Sequence, residues 1–174
     1  DDDPGILHLF SVILGEAGHE VEKAESMASA SELLAKHSFD LVVSDIMLGD
    51  ATGLDLVRRL RQTDGTAYVI LVTGNPTLET AQEALHQGVF DYIPKPVAPN
   101  TLRERVRRAL EHKALRDERN AIQQNLQAIF RSVQEAIISV DAQYTIREIN
   151  DAAQRICGLS SIMIGQSFLQ IIPC

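Results

Sequence analysis

The apolar positions fall into two alternating patterns over the first hundred residues. Ile6, Leu7, Phe10, Ile13 and Leu14 recur at helical spacing after Pro4, a favoured opening position, and Gly18 closes the run. A short strand is expected over 21–24 and a helix over about 29–37. The run Asp40-Leu-Val-Val-Ser-Asp45 is too short and too β-branched for a helix and reads as a strand. Helix over 53–62, strand over 68–73, helix over 77–87 and strand over 90–94 complete the alternation. Leu41-Val42-Val43 and Val69 to Val72 have no polar face, so helices must cover both of their sides. The expected fold is therefore α/β, a doubly wound parallel sheet.

From 101 to about 132 the spacing is helical and the charges alternate in sign. Leu102, Val106 and Ala109 form a stripe suited to packing on the sheet, whereas Leu115, Ile122, Leu126, Ile129 and Val133 form a 4,3 heptad seam offset from it. One long linker helix is expected over 101–132, with a stutter near 110–115 and a second chain paired on the seam, the alternative being a single-chain helix lying on its own domain. Beyond it, 136–141 and 144–150 read as two short strands around Asp141-Ala142-Gln143, followed by a helix over 151–157. This begins an α+β unit with too few strands to be stable alone.

Composition sharpens this division. The net charge is −8; residues 1–100 carry 16 acids against 6 bases, 101–119 carry 4 against 7, and 120–174 carry 4 against 3. The acidic excess argues against nucleic acid as the main partner, and Glu104 and Glu111 among Arg103, Arg105, Arg107 and Arg108 mark a solvated helix face. No apolar run reaches a membrane span, so a cytoplasmic protein without membrane contact is expected. The two cysteines, Cys157 and Cys174, offer neither a disulfide framework nor a metal knuckle. Cys157 is expected in the core, the five histidines at the surface, and Asp40, Asp50 and Asp55 as surface or helix-flanking charges. A start on Asp1-Asp2-Asp3 and a stop on Cys174 with no closing element suggest a fragment.

The chemistry gathers where such sheets bind ligands, at the carboxyl ends of the strands. Asp45, Thr73 and Lys95 occupy strand exits, and Asp1 to Asp3 stand just before the first helix. Converging carboxylates need raised pKa values or a hard cation, and Mg2+, which takes one or two carboxylates and phosphate oxygens, suits this set. One carboxylate can then become an aspartyl phosphate, with Lys95 supplying an ammonium and Thr73 a hydroxyl to the phosphoryl oxygens.

In order and spacing, Asp1-Asp2-Asp3-Pro4, Asp45-Ile-Met-Leu-Gly, Val72-Thr73-Gly74 and Asp91-Tyr-Ile-Pro-Lys95-Pro96 closely resemble the receiver domain of two-component response regulators, over residues 1–115. The resemblance implies a flavodoxin-like sheet of order 2-1-3-4-5 and a phosphoryl group taken from a histidine kinase or phosphotransfer protein. It makes Asp45 the phosphoacceptor, and Asp1, Asp2, Asp45 and the Met47 carbonyl the Mg2+ ligands. Thr73 and Lys95 become the phosphoryl contacts, Thr73 and Tyr92 the switch, and Lys95-Pro96 a cis peptide. Three departures stand out. The apolar central strand that precedes the acid pair in receivers is absent, so that either upstream residues supply it or the fold is severed or swapped with another chain; Gly49 replaces a common Pro; Gly74 leaves the site open.

Residues 127–174 resemble the first half of a PAS sensory domain through Ile129-Phe130-Arg131-Ser132-Val133-Gln134-Glu135-Ala136-Ile137-Ile138, Ile149-Asn150 and Ile164-Gly165-Gln166-Ser167-Phe168. Gln166-Ser167-Phe168 offers no thiol for flavin adducts. The expected function is a phosphorylation-switched module that relays through the helix to the PAS region and an output beyond it, as a homodimer. Two competing readings are an Mg2+-dependent phosphatase with an Asp nucleophile, for which Met47 cannot serve as the proton donor, and a ligand-sensing dimerisation scaffold.

Overall fold

The computed structural model describes residues 1–49, 51–63 and 65–171. Asp50 and Cys174, assigned above from sequence, lie outside the described residues. The chain divides into two compact units, Asp1–Leu115 and Arg116–Cys174.

In the first unit, helix α1 (Pro4–Glu16) opens on Asp3, whose carboxylate accepts the N–H groups of Gly5 at 2.7 Å and Ile6 at 3.3 Å. Helix α2 (Met27–Lys36) and strand β1 (Leu41–Asp45) follow, then a hairpin of β2 (Met47–Leu48) and β3 (Ala51–Thr52). Gly49, in this turn, has φ +63°, a left-handed conformation that glycine adopts without strain. Helix α3 (Gly53–Thr63), strand β4 (Tyr68–Thr73), helix α4 (Leu78–His86), strand β5 (Asp91–Pro94) and helix α5 (Pro99–Ser132) complete the series.

The strands form one parallel sheet in the order β1-β4-β5. All six residues of β4 are buried, because Val69 and Leu71 pack on one face with Val57 and Leu60 of α3, while Ile70 packs on the other with Ile13 and Leu14 of α1 and Leu102 and Val106 of α5. Burial on both faces is what the unbroken apolar run demanded. The Lys95-Pro96 peptide is cis, as the resemblance implied.

One expected element is missing. Residues 21–24 form no strand; Val21, Glu22 and Lys23 are exposed. Among the described residues β1 pairs with β4 only, which leaves its other edge without a ladder partner, and a cavity of about 700 Å³ lies beside it, lined among others by Phe10, Leu14, Val21, Leu34, Val42 and Val43. Strand propensity cannot hold an extended segment without a ladder partner, and residues 21–24 have none.

Helix α5 runs as one continuous helix, as expected. It buries Leu102, Val106 and Ala109, whereas Leu115, Ile122, Leu126 and Ile129 are exposed. Val133 lies just past its end, with its N–H bonded to the Ile129 carbonyl at 3.2 Å.

In the second unit, β6 (Ile138–Val140) and β7 (Ile146–Ile149) pair antiparallel. Asp141 shapes their turn by accepting the N–H groups of Gln143 and Thr145, each at 2.9 Å. Its carboxyl is held below the usual carboxylate range, first by the Thr145 N–H. Helix α6 (Asp151–Cys157) buries Ala152 and Ala153, and a short helix α7 (Phe168–Ile171) follows. Cys157 is exposed, contrary to expectation: the two alanines form the buried face of α6, and the last turn leaves the thiol outside. Among the described residues, no helix is long and apolar enough to cross a membrane.

Candidate functional site

Asp45 ends β1, Thr73 ends β4 and Lys95 follows β5, so the parallel sheet delivers all three to its carboxyl edge. Register draws them together: Asp45 pairs with Val72, the residue before Thr73, and Thr73 pairs with Pro94, the residue before Lys95. The Thr73 carbonyl also accepts the Lys95 N–H at 2.6 Å.

Asp1, Asp2 and Asp45 each offer a carboxylate oxygen within 4.8 Å of the others. The Lys95 ammonium bridges two of them, donating to Asp45 Oδ2 at 2.5 Å and to Asp1 Oδ2 at 2.8 Å. These side chains are nearly enclosed, with Asp1 7%, Asp45 9% and Lys95 22% exposed, so their charges are weakly screened. The other Asp45 oxygen accepts the Met47 N–H at 3.1 Å, and Met47 itself is exposed. Three carboxylates facing one ammonium leave a net negative cluster of hard oxygen donors. That donor set fits Mg2+.

Thr73 is buried, and its hydroxyl accepts the Asn75 N–H at 3.1 Å. This fixes the start of the loop leading to Thr77, the N-cap of α4. Thr77 and Thr80 cap each other reciprocally, and Thr80 Oγ1 also meets the Tyr92 hydroxyl at 2.7 Å. Tyr92 is half-buried against the core cluster on the α3 side of the sheet. Thr73 and Tyr92 are thus joined through the loop from Asn75 to Thr77 and the α4 cap.

The sequence reading missed several supports of this edge. Gly53 begins α3 directly under the site: a Cβ there would collide with the Asp45 carbonyl oxygen and come within 3.0 Å of Leu71 Cδ2. Thr80 escaped notice because a Thr-x-x-Thr box lacks the usual acidic or amide partner. At the opposite, amino end of β4, His112, expected as a plain surface residue, is exposed but bonds the Tyr68 hydroxyl at 2.8 Å and lies against Phe90. Asp55 caps α3, accepting the Thr52 hydroxyl at 2.7 Å and the Thr52 N–H at 3.0 Å; the hydroxyl contact first holds its carboxyl below the usual range.

Comparison with known proteins agrees with this geometry. A response regulator receiver domain model matches residues 1–107, and a PAS domain model matches residues 124–174. The response regulator protein PilR of Pseudomonas aeruginosa is 40% identical over 110 residues, 63% of this chain and 25% of that protein. The alginate biosynthesis transcriptional regulatory protein AlgB of Pseudomonas putida is 36% identical over 115 residues, 66% of this chain and 26% of that protein. The chain therefore spans about a quarter of the length of these curated relatives. Among solved structures, a CheY-like receiver domain protein of Methanospirillum hungatei superposes with TM-score 0.64 at 32% identity, covering 67% of this chain and 93% of that one. NtrX of Brucella abortus, solved with ATP, superposes with TM-score 0.66 at 31% identity, covering 70% and 28%. Sheet, acid cluster and matched sequence converge on one assignment: the chain belongs to the response regulator receiver family, with a PAS region following the receiver.

Proposed function

We propose that this chain is a phosphorylation-switched signalling module in which Asp45 accepts a phosphoryl group from a histidine kinase or phosphotransfer protein. The observation that carries this reading is the meeting of Asp45, Asp1, Asp2 and Lys95 at the carboxyl edge of the sheet. In the transfer, an Asp45 oxygen bonds to phosphorus as the bond to the donor's imidazole nitrogen breaks, and the imidazole leaves with that electron pair. Asp1, Asp2, Asp45 and the Met47 carbonyl would hold Mg2+, which supplies charge neutralisation for the phosphoryl oxygens. Lys95 turns from its carboxylate partners to those oxygens, where an ammonium offsets the charge spread over the transferred group.

The Thr73 hydroxyl hydrogen-bonds the new phosphoryl group and releases the Asn75 N–H. The loop that starts there carries the α4 cap, so the Thr80 contact to Tyr92 is the next to move. Phosphorylation thereby acts as a local charge change with a longer readout. The receiver spans residues 1–115, and the linker helix over 101–132 passes the change to the PAS part, 127–174, and to an output domain. The module works in the cytoplasm as a homodimer joined through the linker helix, and the chain contacts neither nucleic acid nor membrane.

Acetyl phosphate with Mg2+ should add one phosphoryl group to the wild-type chain, read by intact mass, and none to Asp45→Asn. Undiminished labelling of Asp45→Asn would overturn the assignment.

A further inference from the structure

The hairpin that follows Asp45 is short, with Met47 and Leu48 set against Thr52 and Ala51. Two strands of this size do not hold themselves in water. The Gly53 N–H meets the Ile46 carbonyl at 2.8 Å, so Met47 and Thr52 face each other as the pair that exchanges no hydrogen bonds, and their own N–H groups point outward. A carboxylate receives each of them. Met47 donates to Asp45 Oδ1 at 3.1 Å, and Thr52 donates to Asp55 Oδ2 at 3.0 Å. The Met47 carbonyl is left out of the ladder and remains open to a cation.

Asp55 is itself fixed. Its Oδ2 also accepts the Thr52 hydroxyl at 2.7 Å, its N–H donates to Thr52 Oγ1 at 3.1 Å, and its Oδ1 takes Arg58 at 2.6 Å. Arg58 reaches on to Glu83 of α4 at 2.8 Å. The chemistry asks different things of the two carboxylate anchors. Asp45 must turn to the cation and the phosphoryl group, whereas Asp55, with 45% of its side chain exposed, stands outside the site and keeps its grip.

We infer that Asp55 is a positioning residue of the metal site: through Thr52 it holds the hairpin in the form that presents the Met47 carbonyl to Mg2+. The inference rests on the metal reading above and adds a residue outside the ligand set. Groups that orient a metal's ligands govern its affinity by about 10- to 100-fold, and the exposure of Asp55 places its share near the lower figure.

The test uses the full chain and Mg2+ alone, titrated by calorimetry. Asp55→Ala should weaken Mg2+ binding about 10-fold. Asp55→Glu should restore it, because glutamate at this position closes the same box with a threonine cap. Asp55→Asn keeps the shape but gives up charge-assisted bonds of about twice the strength, so it should weaken binding about 3-fold, and it decides the matter if Asp55→Ala does not fold. Ser26→Ala removes a comparable cap from α2 and should leave the affinity at its wild-type value. In labelling by acetyl phosphate, Asp55→Ala should need about 10-fold more Mg2+ and still reach the wild-type rate at saturation. Unchanged affinity in Asp55→Ala and Asp55→Asn, an equal weakening in Ser26→Ala, or no recovery in Asp55→Glu would overturn the inference. So would a lower saturated rate with unaltered affinity. A wild type that takes up no Mg2+ would overturn it together with the metal reading. Loss of Asp45 labelling in every variant, with the affinities as expected, would strike the signalling reading and leave the role of Asp55 standing.

Discussion

Lys95→Met keeps the length and the apolar stem of the side chain and deletes the charge that bridges Asp1 and Asp45. At 4.8 Å, the outer limit of their separation, each pair of carboxylates in the cluster repels by about 3.5 kcal/mol for an effective dielectric of about 20. Each Lys95 contact, at 2.5 and 2.8 Å, returns roughly 6 kcal/mol on the same scale. Attraction and repulsion nearly cancel in the wild type; without the ammonium the repulsion stands alone. Relaxation and the remaining exposure of Lys95 reduce the loss to about 3 kcal/mol, the lower end of what breaking a buried ion pair costs. Hydrogen exchange of the β4 amides from Val69 to Val72 reads the opening of the receiver unit by itself. In metal-free buffer these amides should lose protection in Lys95→Met, and Mg2+ should restore more protection to the variant than it adds to wild type. Adding Asp45→Asn should also recover part of the loss, because one charge leaves the cluster. Equal β4 protection in wild type and Lys95→Met without metal would refute this account of the cluster.

Gly53→Ala drives a methyl group into the Asp45 carbonyl and the Leu71 side chain, so it should cost about 1–3 kcal/mol, seen in β4 exchange, and slow labelling by acetyl phosphate. Asn150 is fully buried and joins four backbone groups, accepting from the Ile137 and Ala153 N–H groups and donating to the Val133 and Glu135 carbonyls. Asn150→Ala should destabilise the β6–β7 unit by about 2–4 kcal/mol, read from exchange of the Ile146 amide, while β4 protection stays at its wild-type level.

The legible part of the fold was the part whose cause is local. Val69 to Val72 announce a strand buried on both faces because no polar residue interrupts them, and Asp45, Thr73 and Lys95 could be placed at one edge because each stands at the end of a strand-like stretch. Other features depend on neighbours distant in the chain. Residues 21–24 hold one strand-favouring residue, Val21, and extended backbone persists only beside a partner. The burial of Cys157 hung on which face of α6 turns inward, and Ala152 and Ala153 settle that. Gly53 looks like a plain helix start until the Asp45 carbonyl lies over it. Thr80 and His112 gain their roles only through the hydroxyls of Tyr92 and Tyr68, which the fold brings to them.

The bare edge of β1 bears on the chemistry as well as on the sheet. Asp1 lines the same hollow as Val42 and Val43, so the acid cluster forms one end of the space beside that edge. A strand seated along β1 would hold Asp1 and Asp2 opposite Asp45 more firmly and so strengthen the grip on a divalent cation. By reciprocity, the cation would favour the seated strand by the same free energy. With Mg2+ held as proposed, metal affinity would gauge how complete the sheet is: two preparations with identical site residues would differ in it through what lies along β1.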